Sequence, residues 1–325
     1  MAAKLDLKTC LVIGISSRAL FDLETANQVF EAEGVEAYRD FQRSQEEQVL
    51  EKGTAFHLVE ALLGLNRYSP QQRLVEVIIM SRNSPDTGLR IFRSIKHYNL
   101  DITRTAFTGG DPLPPYLAAY SVDLFLSKSE ADVQGAIDSG FAAAFLYPPP
   151  AGFDPDRDQI RIAFDADAVL FSDESERIYK TQGLDAFVDH EQRMAKQPME
   201  VGPFAKLLKT LAYLQATVPA EKPPVRLAIV TARNSPAHER VIRTLRAWDV
   251  NVDEAFFLGG LPKDQVLKAF RAHIFFDDQH GHVDLASRGV PAAKVPYKSD
   301  SPLRALATEA LTADTEGDSN DRQDK

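Results

Sequence analysis

The sequence has a single cysteine, Cys10, among its 325 residues. One cysteine can form neither an internal disulfide framework nor a cysteine-based zinc site, so both are excluded. Apolar runs are also short, and none approaches the roughly 18 residues that a membrane-spanning helix needs. The opening stretch MAAKLDLKTCLVIG places Asp6 before its short apolar run and has no clear cleavage site, unlike a signal peptide. We therefore expect a cytoplasmic protein without a membrane partner.

Basic residues are outnumbered by acidic ones. The chain has 37 Lys and Arg against 47 Asp and Glu, which gives a formal net charge of −10. Such a chain repels the phosphates of nucleic acids and anionic membranes, so non-specific binding to either is disfavoured. A small anionic substrate stays compatible if its site supplies cations or a metal ion. The patterns G-x-x-x-x-G-K-[ST] and strand-G-x-G-x-x-G are both absent, which disfavours a P-loop and a dinucleotide cofactor.

Short β-like runs alternate with longer amphipathic stretches along the chain. The first half contains CLVIGI, VEVIIM, VDLFL and AAAFLY, and the second contains IRIAF, RLAIV, EAFFL, HIFF and AAKVPY. Strands separated by helical patterns are typical of βα units with parallel strands. The sequence therefore predicts an α/β fold in which parallel sheets are flanked by helices.

The two halves of the chain resemble each other at an offset of about 150 residues. IIMSRNSP at 78–85 matches IVTARNSP at 229–236, and the pair of glycines at 109–110 matches the pair at 259–260. We predict a tandem duplication of one α/β unit, at 7–150 and 157–311, joined by the turn-rich PPPAGFDPD. The alternative is two similar βα segments within one sheet. The polar, acidic stretch 312–325 is expected to be disordered.

Polar and charged side chains follow four predicted strands of the second half. Because ligands bind at the carboxyl edge of a parallel sheet, we expect these side chains to meet there. In chain order they are Asp165 and Asp167 after IRIAF, Thr231 at the end of RLAIV, Lys263 after EAFFL, and Asp277 with Asp278 after HIFF.

Phosphoryl transfer to a carboxylate needs such a set. Clustered acids are tolerable when a divalent cation binds among them, and hard oxygen ligands suit Mg²⁺. One carboxylate can attack phosphorus while a second acts as general acid and then base. This division between Asp165 and Asp167 requires the chain to bend after the strand, because otherwise the two side chains would share one face.

Each element of this set also has a simpler interpretation. A lone D-x-D after a strand is often a turn or helix cap, and Lys263 alone would be a surface residue. His280 and His282 could suggest zinc, but histidines two residues apart after a strand are usually polar loop groups. The ordered succession of acid pair, hydroxyl, ammonium and acid pair favours the chemical interpretation over these.

The second-half motifs resemble a known superfamily. DADAVLF, the threonine at the next strand end, the later lysine and the closing DD look like the four-motif signature of haloacid dehalogenase phosphatases. The wider text, SSRALFD, SRNSPDTGLR, FTGG, FDADAVLFSDESE and FFDDQ, is similar to the cytosolic 5′-nucleotidase type I family. This resemblance extends over nearly the whole chain.

The resemblance implies a Mg²⁺-dependent hydrolase of nucleoside 5′-monophosphates, AMP foremost, with a small cap inserted at about 173–203. It implies roles for eight residues: Asp165 as nucleophile and metal ligand, Asp167 as general acid and base with its backbone carbonyl on the metal, Thr231 and Lys263 as phosphate ligands, Asp277 as metal ligand, Asp278 near the metal, and Arg233 and Asn234 as influences on substrate choice. Arg233 and Asn234 could instead stabilise a turn.

The first half has no residues for this chemistry at the aligned positions. Asp165 aligns with Ile15, Asp167 with Ser17, Thr231 with Met80, Lys263 with Leu113, and Asp277 with Ser127. We therefore predict a catalytically silent first unit that packs against the second. The sequence leaves open another phosphatase or phosphotransferase of the same fold, a non-catalytic nucleotide-binding protein, and a homo-oligomer.

Overall fold

All ten named strands lie in one sheet. The computed structural model describes residues 6–156, 159–218 and 222–306. The predicted disordered tail at 312–325 therefore lies outside the described residues. Helices flank a mostly parallel sheet, which confirms the predicted α/β class.

The strands are short, with three to seven residues each. In chain order they are β1 (Leu11–Ile15), β2 (Val75–Ser81), β3 (Arg104–Phe107), β4 (Leu124–Ser127), β5 (Ala143–Leu146), β6 (Ile160–Phe164), β7 (Val225–Thr231), β8 (Glu254–Phe257), β9 (Ile274–Asp277) and β10 (Ala292–Lys294).

The helices vary more in length. They are α1 (Ser17–Leu20), α2 (Glu24–Ser44), α3 (Phe56–Gly64), α4 (Leu89–His97), α5 (Pro114–Ala119), α6 (Glu130–Asp138), α7 (Glu174–Gln182), α8 (Leu184–Arg193), α9 (Ala205–Thr217), α10 (His238–Ala247), α11 (Asp264–Phe270) and α12 (His280–Ser287). Short 3₁₀ turns span Leu7–Thr9, Leu65–Tyr68 and Pro85–Gly88, and a π turn spans Ala166–Leu170.

The strand order is the same in both halves when each is followed outward from the centre of the sheet. The full order is β3-β2-β1-β4-β5-β10-β9-β6-β7-β8. Neighbouring strands are parallel except at the centre, where β5 and β10 pair antiparallel through Ala293 with Leu146 and Lys294 with Phe145. The carboxyl ends of β1, β2 and β4 therefore form one ligand-binding edge, and those of β6, β7 and β9 form another.

One hydrophobic core extends through both halves. The central strands are apolar on both faces because helices cover both, as all five buried residues of β1 illustrate. Leu58 on α3 and Leu207 on α9 belong to the same buried cluster as Ile13 and Ile162. Side chains of both halves therefore pack together in one cluster of buried residues.

A glycine interrupts the helical segment after the first strand of each half. Helix α2 is bent at Gly34, with φ of 87° and ψ of −169°. Gly183 separates α7 from α8 with nearly the same angles, 86° and −177°. Both φ values lie in the region that favours glycine, so each half carries two helical pieces joined at a sharp corner.

No helix in the described part of the chain is long and apolar enough to span a membrane.

His273, at the start of β9, is buried and hydrogen-bonded as a neutral imidazole. Its Nδ1 accepts from the backbone N–H of Arg161 at 3.2 Å, and its Nε2 lies 3.0 Å from the carbonyl oxygen of Asp156, so the Nε2 proton is donated there. Burial lowers the pKa of His273 to about 4. A second proton on the ring would have to displace the Arg161 hydrogen bond.

We predict that His273 makes the protein less stable as the pH falls. Above pH ~6.5 the His273 ring is neutral in both the folded and the unfolded state. Between pH ~6.5 and the folded pKa, the unfolded chain binds a proton at this ring and the folded chain does not. The loss reaches on the order of 3 kcal/mol near pH 4. Urea denaturation at pH 7.5, 6 and 5 should show a shallower pH dependence for His273→Gln than for wild type. His97→Gln, at an exposed position, is the control and should follow wild type.

Candidate active site

The carboxyl ends of three neighbouring strands bring the predicted site residues together. In the order β9-β6-β7, these strands lead into Asp277, Asp165 and Thr231. The backbone N–H of Asp165 donates to the carbonyl of Phe276 at 2.8 Å, which continues the parallel pairing of β6 with β9. Sheet hydrogen bonds thus hold Asp165 beside Asp277.

The chain bends directly after β6, as the two roles for Asp165 and Asp167 require. Asp165 and Asp167 are extended, and Ala168 then takes φ of 59° within the π turn. Gly202 packs against this turn so closely that a Cβ there would lie 2.6 Å from the carbonyl oxygen of Val169. The bend directs the two carboxylates to different partners.

Lys263 bridges the acids at the two strand ends. Its Nζ donates to Asp165 Oδ1 at 2.5 Å and to Asp277 Oδ2 at 2.6 Å. All three side chains are at most 8% exposed. Burial alone would lower the pKa of Lys263, but the two carboxylates outweigh it and raise the pKa above its usual range. The ammonium is therefore held charged.

Three carboxylates converge on a space suited to a cation. Oxygens of Asp165, Asp277 and Asp278 all lie within 4.8 Å of one another. Burial raises the pKa of Asp165 to about 7, and burial with the charge of Asp277 raises that of Asp278 well above its usual range. Lys263 lowers the pKa of Asp277 despite burial. One lysine cannot neutralise three acids, so the cluster fits a divalent cation with oxygen ligands.

The carboxylate of Asp167 lies outside this cluster and binds Arg233. Nε and Nη2 of Arg233 donate to its two oxygens at 2.7 and 2.5 Å. The buried Glu191 on α8 also accepts from Arg233 and, at 3.0 Å, from Arg240. Such paired hydrogen bonds fix the plane of a carboxylate. Arg233, predicted to influence substrate choice, is thus buried and bonded to acids.

Thr231 and Asn234 differ in their exposure. Thr231 is 1% exposed, and its hydroxyl accepts from the backbone N–H of Arg233 at 3.3 Å, so its own proton remains available. Asn234 is exposed, with its side chain against Gly259. Among the eight predicted residues, Asn234 is the one at the surface.

Comparisons with known proteins identify the family of the chain. A family model described as 5′-nucleotidase matches residues 3–302. The chain belongs to the 5′-nucleotidase family. Human (Homo sapiens) cytosolic 5′-nucleotidase 1B is 38% identical over 291 residues, which cover 86% of this chain and 48% of that protein. The chain spans about half the length of this curated relative of the 5′-nucleotidase family, and the resemblance drawn from its motifs is confirmed.

A chain of the solved Pnkp1/Rnl/Hen1 complex is also similar, with 11% identity and a TM-score of 0.31 over 89% of this chain and 97% of that chain. This likeness is too low to carry an argument.

Several side chains of this 5′-nucleotidase-family site were not found from the sequence. Glu191 carries no motif, and its spacing from Arg233 gives no signal. Tyr297 donates its hydroxyl to Asp278, and Gln279 donates to Glu176 on α7 at 3.1 Å. Tyr297 lies 150 residues after Tyr147, the offset of the two halves, and this match is a hint in the sequence. Tyr297 thus contacts an acid of the cluster directly, whereas Glu191 reaches Asp167 only through Arg233.

The first-half residues that occupy the positions of Asp165 and Thr231 differ from those predicted by aligning the two halves of the sequence. Ser16 N donates to Leu126 O as Asp165 N donates to Phe276 O, so the counterpart of Asp165 is Ser16 and not Ile15. The offset changes because Phe171 N bonds five residues back to Ala166, whereas Phe21 N bonds four residues back.

Thr231 needs the same correction. Thr231 ends β7 and pairs with Phe257, just as Ser81 ends β2 and pairs with Phe107. Its counterpart is therefore Ser81 and not Met80, because one more residue separates the strand from RNSP in the second half. The Ser81 hydroxyl accepts from a backbone N–H two residues on at 3.3 Å, as that of Thr231 does. The first half thus keeps a hydroxyl here.

We predict that Glu191→Gln strongly destabilises the protein. The change removes the charge shared by two buried guanidinium groups, and breaking a buried pair costs about 3–5 kcal/mol. Glu239→Gln is the matched control, because its ion pair with Arg243 is about half exposed and should be worth at most ~1 kcal/mol. Urea denaturation measures both, and similar small losses would contradict a structural role for Glu191.

Proposed function

We propose that this chain hydrolyses nucleoside 5′-monophosphates through Asp165. The arrangement of Asp165 with Lys263 and Asp277 at adjoining strand ends carries this proposal, because it joins a nucleophile to a fixed cation. The nucleotide substrate class is supported by the family match and by the name of the human relative. The word cytosolic in that name supports a cytoplasmic location.

The acid cluster fits Mg²⁺, with Asp165, Asp277 and Asp278 as the residues that would hold it. Bound there, Mg²⁺ would neutralise part of the phosphate charge. The backbone carbonyl of Asp167 is a further proposed ligand. His282 Nδ1 lies 3.3 Å from Asp277 Oδ2 and would help to orient that carboxylate.

Lys263 and Thr231 would bind the phosphate oxygens. An ammonium has three N–H donors, and two of those on Lys263 are used by Asp165 and Asp277. The third is free to donate to a phosphate oxygen, and so is the Thr231 hydroxyl. Their donation would hold phosphorus in front of Asp165.

The reaction would take place in two steps. A carboxylate oxygen of Asp165 bonds to phosphorus while the bond to the 5′ oxygen breaks, and the departing alkoxide takes a proton from Asp167. Asp167 then removes a proton from water, whose oxygen attacks phosphorus and releases Asp165 and inorganic phosphate. Both oxygens of Asp167 accept from Arg233, so one of these bonds must be exchanged for the catalytic proton.

We also propose that the halves, 7–150 and 157–311, arose by duplication of a haloacid-dehalogenase-like unit and that 173–203 forms a cap. The mirrored strand order and the shared glycine corners support the duplication. The cap is supported by α8, where Glu191 binds Arg233 and the ring of Phe187 lies 5.2 Å from its guanidinium carbon. Arg233 would then link the cap to Asp167, and Asn234 would be left to contact substrate.

The substrate class is tested with a panel of phosphate esters. With Mg²⁺ we expect AMP and IMP to be hydrolysed with a higher kcat/KM than glucose 6-phosphate or ribose 5-phosphate, and EDTA to abolish release of phosphate. Equal or better rates on the sugar phosphates would contradict the nucleotidase assignment and favour another phosphatase of this fold. Transfer of phosphate to an added nucleoside would identify a phosphotransferase.

The nucleophile is tested by Asp165→Asn. The variant keeps the shape of the side chain but cannot form an acyl phosphate, so kcat should fall at least roughly 10³-fold. Asp284→Asn removes a half-exposed carboxylate from α12 and is the control, expected to retain wild-type kcat. Circular dichroism checks the fold of both. Retained turnover in Asp165→Asn would exclude this residue as nucleophile and leave a non-covalent route or another acid.

A further inference from the structure

The first half has a cavity at the edge that corresponds to the active site. It encloses about 400 Å³, a volume typical of small-molecule sites. Its walls include the turn after β1, the end of β2 and the end of β4. Four of the lining residues offer hydroxyls at these strand ends: Ser16, Ser17, Ser81 and Ser127.

The acids of the second half are replaced here by hydroxyls and a cation. Ser16 takes the place of Asp165, and Ser127 that of Asp277, since its hydroxyl accepts from the N–H of Ser129 at 3.1 Å as Asp277 accepts from Gln279 at 2.8 Å. The next residue is Lys128, where the second half has Asp278. The residues that would bind a divalent cation are therefore gone, and an anion no longer meets carboxylates at the strand ends.

The cavity is lined by more cations than anions. Arg18, Arg39, Arg82 and Lys128 line it, against the single carboxylate of Asp132, which lies 3.3 Å from Arg82. Arg18 and Lys128 share one acid, Glu24, at 3.0 and 2.8 Å. Because Glu24 compensates only one of these two cations, a net positive charge is left beside the serines. Arg39 is paired with the exposed Glu36 at 2.8 Å.

Two residues that line the cavity, Arg18 and Ser84, each have a polar atom without a hydrogen-bond partner in the described part of the chain. In the described ranges, Arg18 Nε and Ser84 Oγ are buried and have no hydrogen-bond partner. A buried donor without a partner costs about 1–3 kcal/mol. The Ser81 and Ser17 hydroxyls, 3.3 Å apart, offer a further proton between them. Guanidinium N–H groups and hydroxyls are donors that commonly bind the oxygens of a phosphate.

The cavity also has apolar lining residues, two of which are exposed. Leu23, Phe30, Val35 and Tyr38 from α2 and its start line it. Phe30 is 45% exposed and its ring meets that of Tyr38 edge to face at 6.0 Å. An exposed aromatic ring and several cations in one cavity suit a ligand with both a flat ring and an anionic group.

We propose that this cavity is a second ligand site, which binds a phosphate ester carrying a flat ring, the chemistry of a nucleotide, without a divalent cation. Lys128, Arg18 and the strand-end serines bind the phosphate, and Phe30 packs against the ring. Binding needs neither Asp165 nor turnover, so the proposal stands or falls separately from the proposed hydrolysis.

Calorimetry with AMP in EDTA tests the site on the full chain. We expect one equivalent of AMP to bind, and Lys128→Gln to weaken binding at least about 10-fold, the loss typical of one charged hydrogen bond. Lys96→Gln, an exposed lysine of the same half, is the charge-matched control and should leave binding unchanged.

Phe30→Ala separates the two parts of the ligand. This exposed position tolerates truncation, and the variant should lose affinity for AMP while inorganic phosphate binds as to wild type. Absence of AMP binding in EDTA would overturn the proposal. Binding that Lys128→Gln leaves at wild-type strength would also overturn it, by placing the ligand outside this cavity. If wild type binds AMP and inorganic phosphate with equal affinity, the proposed contact between Phe30 and the ring of the ligand is wrong.

Discussion

The crowding of buried carboxylates at the end of β6 and β9 is the constraint on which the rest of the site depends. Asp165, Asp277 and Asp278 bring oxygens within 4.8 Å of one another, and Lys263 supplies a single compensating charge. Burying like charges costs several kcal/mol per ion unless they are paired. The sheet enforces this arrangement through backbone hydrogen bonds, so the strain of repulsion is relieved by proton uptake or by a divalent cation.

The first half shows that the fold does not need these acids. The same sheet hydrogen bond that places Asp165 beside Phe276 places Ser16 beside Leu126, and the same type of capping bond is made by Ser127 as by Asp277. Backbone geometry is thus preserved while the side chains at the strand ends change from carboxylates to hydroxyls and a lysine. The fold alone therefore does not account for the acids of the second half, whereas the proposed reaction does.

The sequence was sufficient for the features that depend on local pattern. Apolar runs predicted the strands, and the order of polar residues after them predicted that Asp165, Lys263 and Asp277 would meet. Glu191 and the partner of Asp167 could not be predicted, because contacts between α8 and the turn after β7 depend on how helices pack. The sequence comparison pairs Asp165 with Ile15 and not with its structural counterpart Ser16. The reason is one extra residue in the π turn after β6, which changes the offset between the halves and which the sequence alone does not locate.

The first half also supports the active site through direct contacts. Helix α6 begins after Lys128 and presents Gln134, which donates to the carbonyl of Tyr297 at 3.0 Å, and Asp138, which accepts from the backbone and hydroxyl of Ser299 at 2.8 and 2.6 Å. Tyr297 in turn bonds Asp278. The loop that orients one acid of the cluster is therefore held by a helix of the other half, so the geometry of the cluster depends on both halves of the chain.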